Sequence, residues 1–237
     1  MSPGDSAQPP WLREVPRFSR VSRPMKQSVK AVVFDFGGVL SRPPHPAAIR
    51  RMSAACGLSP DAYLQLFREL RPEYDRGTMG PEAYWQRLLQ AAGRAPEDGL
   101  IAWLQARDLA SWTHARRPMV RWSRHLRRGG WVTAVLSNMP RDLLAPIERR
   151  FRWLAEFPVR VYSCQVGRIK PEPEIFAVCL DRLGLEAREV LFLDDHPGNV
   201  TAAARLGLQA LEFRSPGQCA RQLEQRFELP RLARSRR

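Results

Sequence analysis

Lysine is nearly missing from this chain, which holds 38 basic residues but only the lysines Lys26, Lys30 and Lys170. Its net charge of +14 is therefore an excess of arginine. Those arginines are scattered through helical stretches and both ends rather than gathered on one helix with base-reading spacing. No zinc finger or RNA-binding signature accompanies them, so nucleic-acid binding is not expected as the main role; attraction of anionic substrates is the simpler meaning of the charge. Cysteine is also scarce. Cys56, Cys164, Cys179 and Cys219 form no CxxC pair and have no histidine at ligand spacing. That excludes a disulfide framework and a structural zinc site, and fits a reducing, cytoplasmic setting. No apolar run approaches the roughly 18 residues that a membrane-spanning helix needs. The N-terminal stretch lacks the apolar centre of a secretory signal and, being rich in Pro, Ser and Arg, reads as a disordered extension over residues 1–28. A basic tail is expected over residues 230–237.

What is present is a globular composition, 44% hydrophobic and 26% charged over 237 residues, enough for one α/β domain with an insert. Five short apolar runs rich in β-branched residues lie at 31–34, 131–136, 159–162, 190–193 and 208–213. Runs of this kind are strands buried on both faces. Helical patterns at 142–153, 173–183 and 199–206 separate them, which predicts a doubly wound, Rossmann-like parallel α/β sheet. The stretch from residue 41 to 127 is too long for a structureless connection. Its helical patterns at 61–70, 81–92 and 100–109 predict an inserted helical cap over 42–125, flanked by core segments at 29–41 and 126–229. A final helix is expected at 219–229.

Four segments carry the chemistry. In Phe34-Asp35-Phe36-Gly37-Gly38 a carboxylate follows directly on a buried strand, where open α/β sheets bind ligands, and the glycines permit close approach of a phosphate. Ser137-Asn138 closes the second strand with a hydroxyl and an amide, both suited to phosphate oxygens. Lys170-Pro171 offers a compact charge held by the following proline. Asp194-Asp195, followed by His196-Pro197-Gly198-Asn199, sets two acids at the end of another buried strand, where a hard divalent cation is their natural counter-charge. Read singly, each has an ordinary account: a helix cap, a strand-to-helix turn, a surface lysine, an acidic turn. Read together, all four fall at the C-terminal rim of the predicted sheet and supply a nucleophile, hydrogen-bond donors, a fixed cation and a metal-binding pair. That is equipment for phosphoryl transfer through an aspartyl-phosphate.

The order Asp35-x-Gly-Gly, Ser137-Asn138, Lys170-Pro171, Asp194-Asp195-x-x-x-Asn199 resembles the four signature motifs of the haloacid dehalogenase-like hydrolases. The nearest flavour is that of bacterial sugar-1-phosphatases and of the N-terminal phosphatase domain of soluble epoxide hydrolase. The resemblance implies that Asp35 attacks phosphorus and ligates Mg²⁺, with the Gly37 carbonyl and Asp195 completing the metal contacts and Asp194 nearby or acting through water. It implies that Ser137 and the Asn138 backbone hold phosphoryl oxygens, and that Lys170 offsets charge on Asp35 and the phosphate. The substrate implied is a small phosphomonoester. One departure is plain. Most phosphatases of this kind carry a second aspartate two positions after the nucleophile as general acid and base, and here that position is Gly37. Water, His45 and His196 are the candidate replacements. A metal-independent 2-haloacid dehalogenase and a non-catalytic binding protein remain the alternative readings. In the cap, Tyr74, Arg76 and Trp85 are candidates to line the cleft.

Overall fold

A computed structural model describes residues 28–232. The extension expected over residues 1–28 lies outside it but for its last residue, and so does most of the tail expected over 230–237. Five strands, β1 (Ala31–Phe34), β2 (Val132–Ser137), β3 (Val159–Tyr162), β4 (Val190–Asp194) and β5 (Gln209–Glu212), form one parallel sheet in the order β3-β2-β1-β4-β5. Side chains alternate across a strand. Val32 and Phe34 therefore enter one apolar layer, and Ala31 and Val33 the other. Burial on both faces is why these strands read as unbroken apolar runs.

Helices α5 (Arg117–Arg128), α6 (Arg141–Arg150) and α10 (Pro216–Arg226) cover the first face, while α8 (Pro173–Leu183) and α9 (Pro197–Arg205) cover the second. Proline sits in the first turn of α5, α8, α9 and α10, where its missing N–H leaves no intrahelical bond unmade. The four cysteines are all buried free thiols. Among the described residues no helix is long and apolar enough to cross a membrane.

Between β1 and β2 the chain builds a separate cluster from α1 (Pro46–Ala55), α2 (Pro60–Arg76), α3 (Pro81–Ala91) and α4 (Asp98–Ser111). Its centre is aromatic: Tyr74 stacks on Tyr84 at 4.3 Å, and Trp85 meets Tyr84 edge-on at 5.0 Å. Two linkers join this cap to the sheet side by side. Arg42 N donates to His114 O at 2.7 Å and Arg116 N to Leu40 O at 2.7 Å, around an antiparallel bridge between Ser41 and Ala115. The expected cap boundary at residue 125 cuts through α5, whose Met119, Val120 and Trp122 pack in the sheet's cluster. An amphipathic helix has the same periodicity whichever layer it covers, so its pattern could not place the boundary.

Lys170 departs from the expected scheme in its position along the chain. It does not directly follow a strand, because a short helix, α7 (Ser163–Val166), intervenes after β3. β3 is the edge strand, one strand beyond β2 from the centre, and α7 with its loop returns the chain toward β1. The aromatic cap centre gives a direct test. Trp85→Ala removes a fully buried indole and is expected to lower stability by about 3–5 kcal/mol, measured by denaturant unfolding.

Candidate active site

Asp35, Ser137 and Asp194 stand at or just beyond the C-terminal ends of the neighbouring strands β1, β2 and β4. The register aligns Phe34 with both Val135 and Leu193, so the three chain ends finish side by side. Here the strand order reverses, and open α/β sheets form a crevice at such a point. A cavity of about 480 Å³ opens over it. Asp35, Gly37, Ser137, Asn138, Lys170 and Asp195 from the sheet side all line it.

Lys170 is 3% exposed and places its ammonium 2.9 Å from Asp35 Oδ1 and 2.6 Å from Asp194 Oδ2. The Asn138 side chain fixes the loop that carries it: Lys170 N donates to Asn138 Oδ1 at 2.8 Å, and Asn138 Nδ2 donates to Lys170 O at 2.9 Å. Asp194 is wholly buried and fully engaged, accepting from Lys170, from His196 N at 2.8 Å and from Asn199 Nδ2 at 3.1 Å. Asp195, by contrast, is exposed at the cavity. Asp35 Oδ1 accepts from Phe36 N at 2.7 Å as well as facing Lys170. Among the described residues nothing in the protein bonds to Asp35 Oδ2.

Asp35, Asp194 and Asp195 each offer an oxygen within 4.8 Å of the others. Three carboxylates against one ammonium leave an excess of two negative charges. Burial, followed by Asp194 and Asp195, accordingly pushes Asp35 up to about 7 despite the opposing charge of Lys170. The donor set is all oxygen and the missing counter-charge is two, which suits a hard divalent cation. The backbone leaves room for this arrangement only because of Gly38. At φ +71° a Cβ there would sit 2.0 Å from Asp195 Oδ2. Arg116 Nη2 donates to Gly38 O at 2.9 Å and so anchors the same loop from α5's N-terminal end.

Gly37 is enclosed differently. A Cβ at this position would lie 3.2 Å from Cζ3 of Trp112, whose ring stands over it. The position two residues after Asp35, occupied by glycine, therefore faces an indole. His196 lines the cavity, whereas His45 is exposed and caps α1 through its Nδ1, accepting from Ala47 N at 3.2 Å.

The expected cap residues do not line the cavity. Tyr74 is buried and donates to Asp142 at 2.7 Å, Arg76 pairs with Glu172 at 2.8 Å, and Trp85 lies in the cap's own centre. The cap's lining comes instead from one face of α2, with Phe67, Arg71 and Asp75, and from Trp112. Arg71 is set between two buried carboxylates. It lies 2.7 Å from Asp75 Oδ1 and 3.3 Å from Asp108 Oδ2, while Trp112 Nε1 donates to Asp108 Oδ1 at 3.1 Å.

The chain is similar to known proteins in sequence and in fold. A family model described as haloacid dehalogenase-like hydrolase matches residues 29–207. Rat bifunctional epoxide hydrolase 2 is 29% identical over 220 residues, covering 83% of this chain but 38% of its own length, so the chain spans well under half of that relative. The L-2-haloacid dehalogenase of Xanthobacter autotrophicus superposes with a TM-score of 0.59 at 21% identity, over 83% of this chain and 82% of its own. A HAD family enzyme of Bacteroides thetaiotaomicron, an Asp-to-Ala mutant in complex with magnesium and inorganic phosphate, gives 0.58 at 19% identity, over 79% and 95%. At these identities the two structures speak for the fold.

Two outcomes test the cation site. Gly38→Ala should push Asp195 aside and weaken Mg²⁺ binding by at least the 10–100-fold, roughly, that supporting residues contribute at metal sites, as read by titration calorimetry. The second concerns pH. Asp35 is raised from 3.8 to about 7 in the fold, so across that window the folded state holds more protons and stability falls as pH rises. A cation replaces that proton. The rise in Tm on adding Mg²⁺ should be larger at pH 8 than at pH 5, measured by thermal melts.

Proposed function

The chain belongs to the haloacid dehalogenase-like hydrolases, and from that premise we propose that it hydrolyses a small, sugar-phosphate-like phosphomonoester in a Mg²⁺-dependent reaction through an aspartyl-phosphate on Asp35. The observation that carries the reading is the charge at the rim: three carboxylates facing one another around a single buried lysine. A dehalogenase that needs no metal would leave two of those charges uncompensated, beneath a cavity into which its anionic substrate must pass.

In this reading Asp35 Oδ2, free of protein partners, is the oxygen that bonds to phosphorus. Asp35 Oδ1 stays held by Phe36 N and Lys170. Ser137 Oγ and the Asn138 backbone receive the phosphoryl oxygens at the end of β2. Lys170 offsets the charge gathered on the nucleophile and phosphoryl group, and Asn138 keeps it in place through its two loop bonds. Asp35, the Gly37 carbonyl and Asp195 would hold the ion. Asp194, with its oxygens already taken, positions Lys170 beside the residues that would hold the ion. When bound, Mg²⁺ supplies charge neutralisation at the phosphoryl oxygens. The cap's α2 and Trp112 close the far side of the cavity and limit the substrate to one of modest size.

p-Nitrophenyl phosphate and a panel of sugar phosphates, assayed with Mg²⁺ and with EDTA, test the proposal. Turnover should require the metal, and Asp35→Asn should lower kcat by at least about 10³-fold, as loss of a nucleophile does elsewhere. Turnover that survives either the chelator or Asp35→Asn sinks the mechanism. Halide release from 2-haloacids without metal would favour the dehalogenase reading instead.

A further inference from the structure

A phosphatase that lacks an acid at position 37 still has to protonate its leaving group. Gly37 has no side chain to do so, and Trp112 stands over it. The cap meets the cavity from the opposite side, and one carboxyl there has no role in the machinery described so far. Asp75 lies in the last turns of α2, is 8% exposed and lines the cavity shared by Asp35, Ser137 and Lys170. Its backbone is tied to the sheet side: Ser163 Oγ donates to Asp75 O and accepts from Met139 N, one residue beyond Asn138. Tyr74 and Arg76 on either side bind Asp142 and Glu172 of the core. This turn of the cap is therefore fastened beside the phosphoryl-binding end of β2.

The proton inventory of this region is specific. Arg71 is shared by Asp75 and Asp108, and two buried carboxylates around one guanidinium carry a net negative charge unless one of them keeps a proton. Asp108 accepts at both oxygens, from Trp112 Nε1 and Arg71. Asp75 accepts from Arg71 at Oδ1, and among the described residues no protein donor is bonded to its Oδ2. The second oxygen of Asp75 is the one left to hold the proton. Besides Arg71 on its own helix, the groups that act on Asp75 are Asp108 of α4, Tyr84 of α3, Asp142 of α6, Cys164 of α7 and Lys170. Burial outweighs the attraction of Arg71 and Lys170, and raises the Asp75 carboxyl above the ordinary range.

We propose that Asp75 is the general acid and base of this enzyme, delivered by the cap in place of the residue missing at position 37. The inference rests on the phosphatase reading above. As Asp35 bonds to phosphorus, the phosphorus–oxygen bond to the leaving group breaks, its electron pair stays on the leaving oxygen, and the Asp75 proton goes to that oxygen. In the second half a water bonds to phosphorus, the bond from phosphorus to Asp35 breaks, and the Asp75 carboxylate takes the water's proton. Inorganic phosphate leaves, and both aspartates return to their starting states.

The dependence on the leaving group tests the role. An alkyl ester such as glycerol 3-phosphate needs a proton on its departing oxygen, whereas p-nitrophenolate leaves without one. With Mg²⁺ present, Asp75→Asn should lower kcat/KM for the alkyl ester by about 10²–10⁴-fold, and for p-nitrophenyl phosphate by less than a tenth as much. The plot of rate against leaving-group pKa should steepen to match. Asp75→Glu should restore part of the alkyl-ester activity, and a melting curve for each variant reports whether the fold is kept. If Asp75→Asn slows both esters equally, or neither, the acid role is overturned while the phosphatase reading stands. If the wild-type enzyme turns over neither ester, the phosphatase reading fails and takes the acid role with it.

Discussion

Everything at the rim of this sheet is arranged around one buried ammonium. Lys170 sits between Asp35 and Asp194 at 2.9 and 2.6 Å, with the ring of Phe192 5.6 Å away on its apolar side. Burying a lysine is costly unless it is paired, and two acids on separate strands can face it only if those strands end at the same level. The parallel register of β1 and β4 meets that condition. The Asn138 side chain, gripping the Lys170 backbone at both its N–H and its carbonyl, brings in the end of β2. Thus the lysine's demand for counter-charge ties three strand ends and one loop into a single rigid frame. Asp194 is spent on holding it, which leaves Asp35 and Asp195 the less engaged of the three acids.

The parts of this frame that lie close together along the chain are legible in the sequence. Asp35 follows an apolar run, Asp194-Asp195 follows another, and strands buried on both faces announce themselves as unbroken apolar stretches. Lys170 stands out for its rarity, although its route to the site through α7 leaves no mark in the pattern. The cap is another matter. Periodicity shows that a helix has an apolar face, but not what that face meets. Tyr74, Arg76 and Trp85 are reasonable candidates by residue type, yet the structure uses the first two to fasten the cap to the core and the third to fill the cap's interior. Arg71, Asp75 and Trp112 reach the cavity across long sequence separations. Nothing local distinguishes an Arg and an Asp four residues apart from a surface ion pair. Arg116 is hidden for the same reason, since its bond to the Gly38 carbonyl joins α5 to a loop far upstream.

The fold also divides the labour between its two clusters. At the sheet's rim Asp194 and Lys170 are nearly sealed from solvent. The cap has its own aromatic interior and is joined through a pair of adjacent linkers. The cap contributes α2 and Trp112 to the cavity lining, while Asp35, Ser137 and Lys170 line it from the sheet side. The two clusters are fastened to one another by Tyr74–Asp142 and Arg76–Glu172.

The indole above Gly37 has a further consequence, for which residues can change independently. A methyl group at position 37 would already press against Trp112 at 3.2 Å, and a carboxylate has less room still. Positions 37 and 112 are therefore coupled across the cap and the sheet's rim: a side chain at 37 requires the ring to give by a few tenths of an ångström, and a smaller residue at 112 opens space over the loop that follows Asp35.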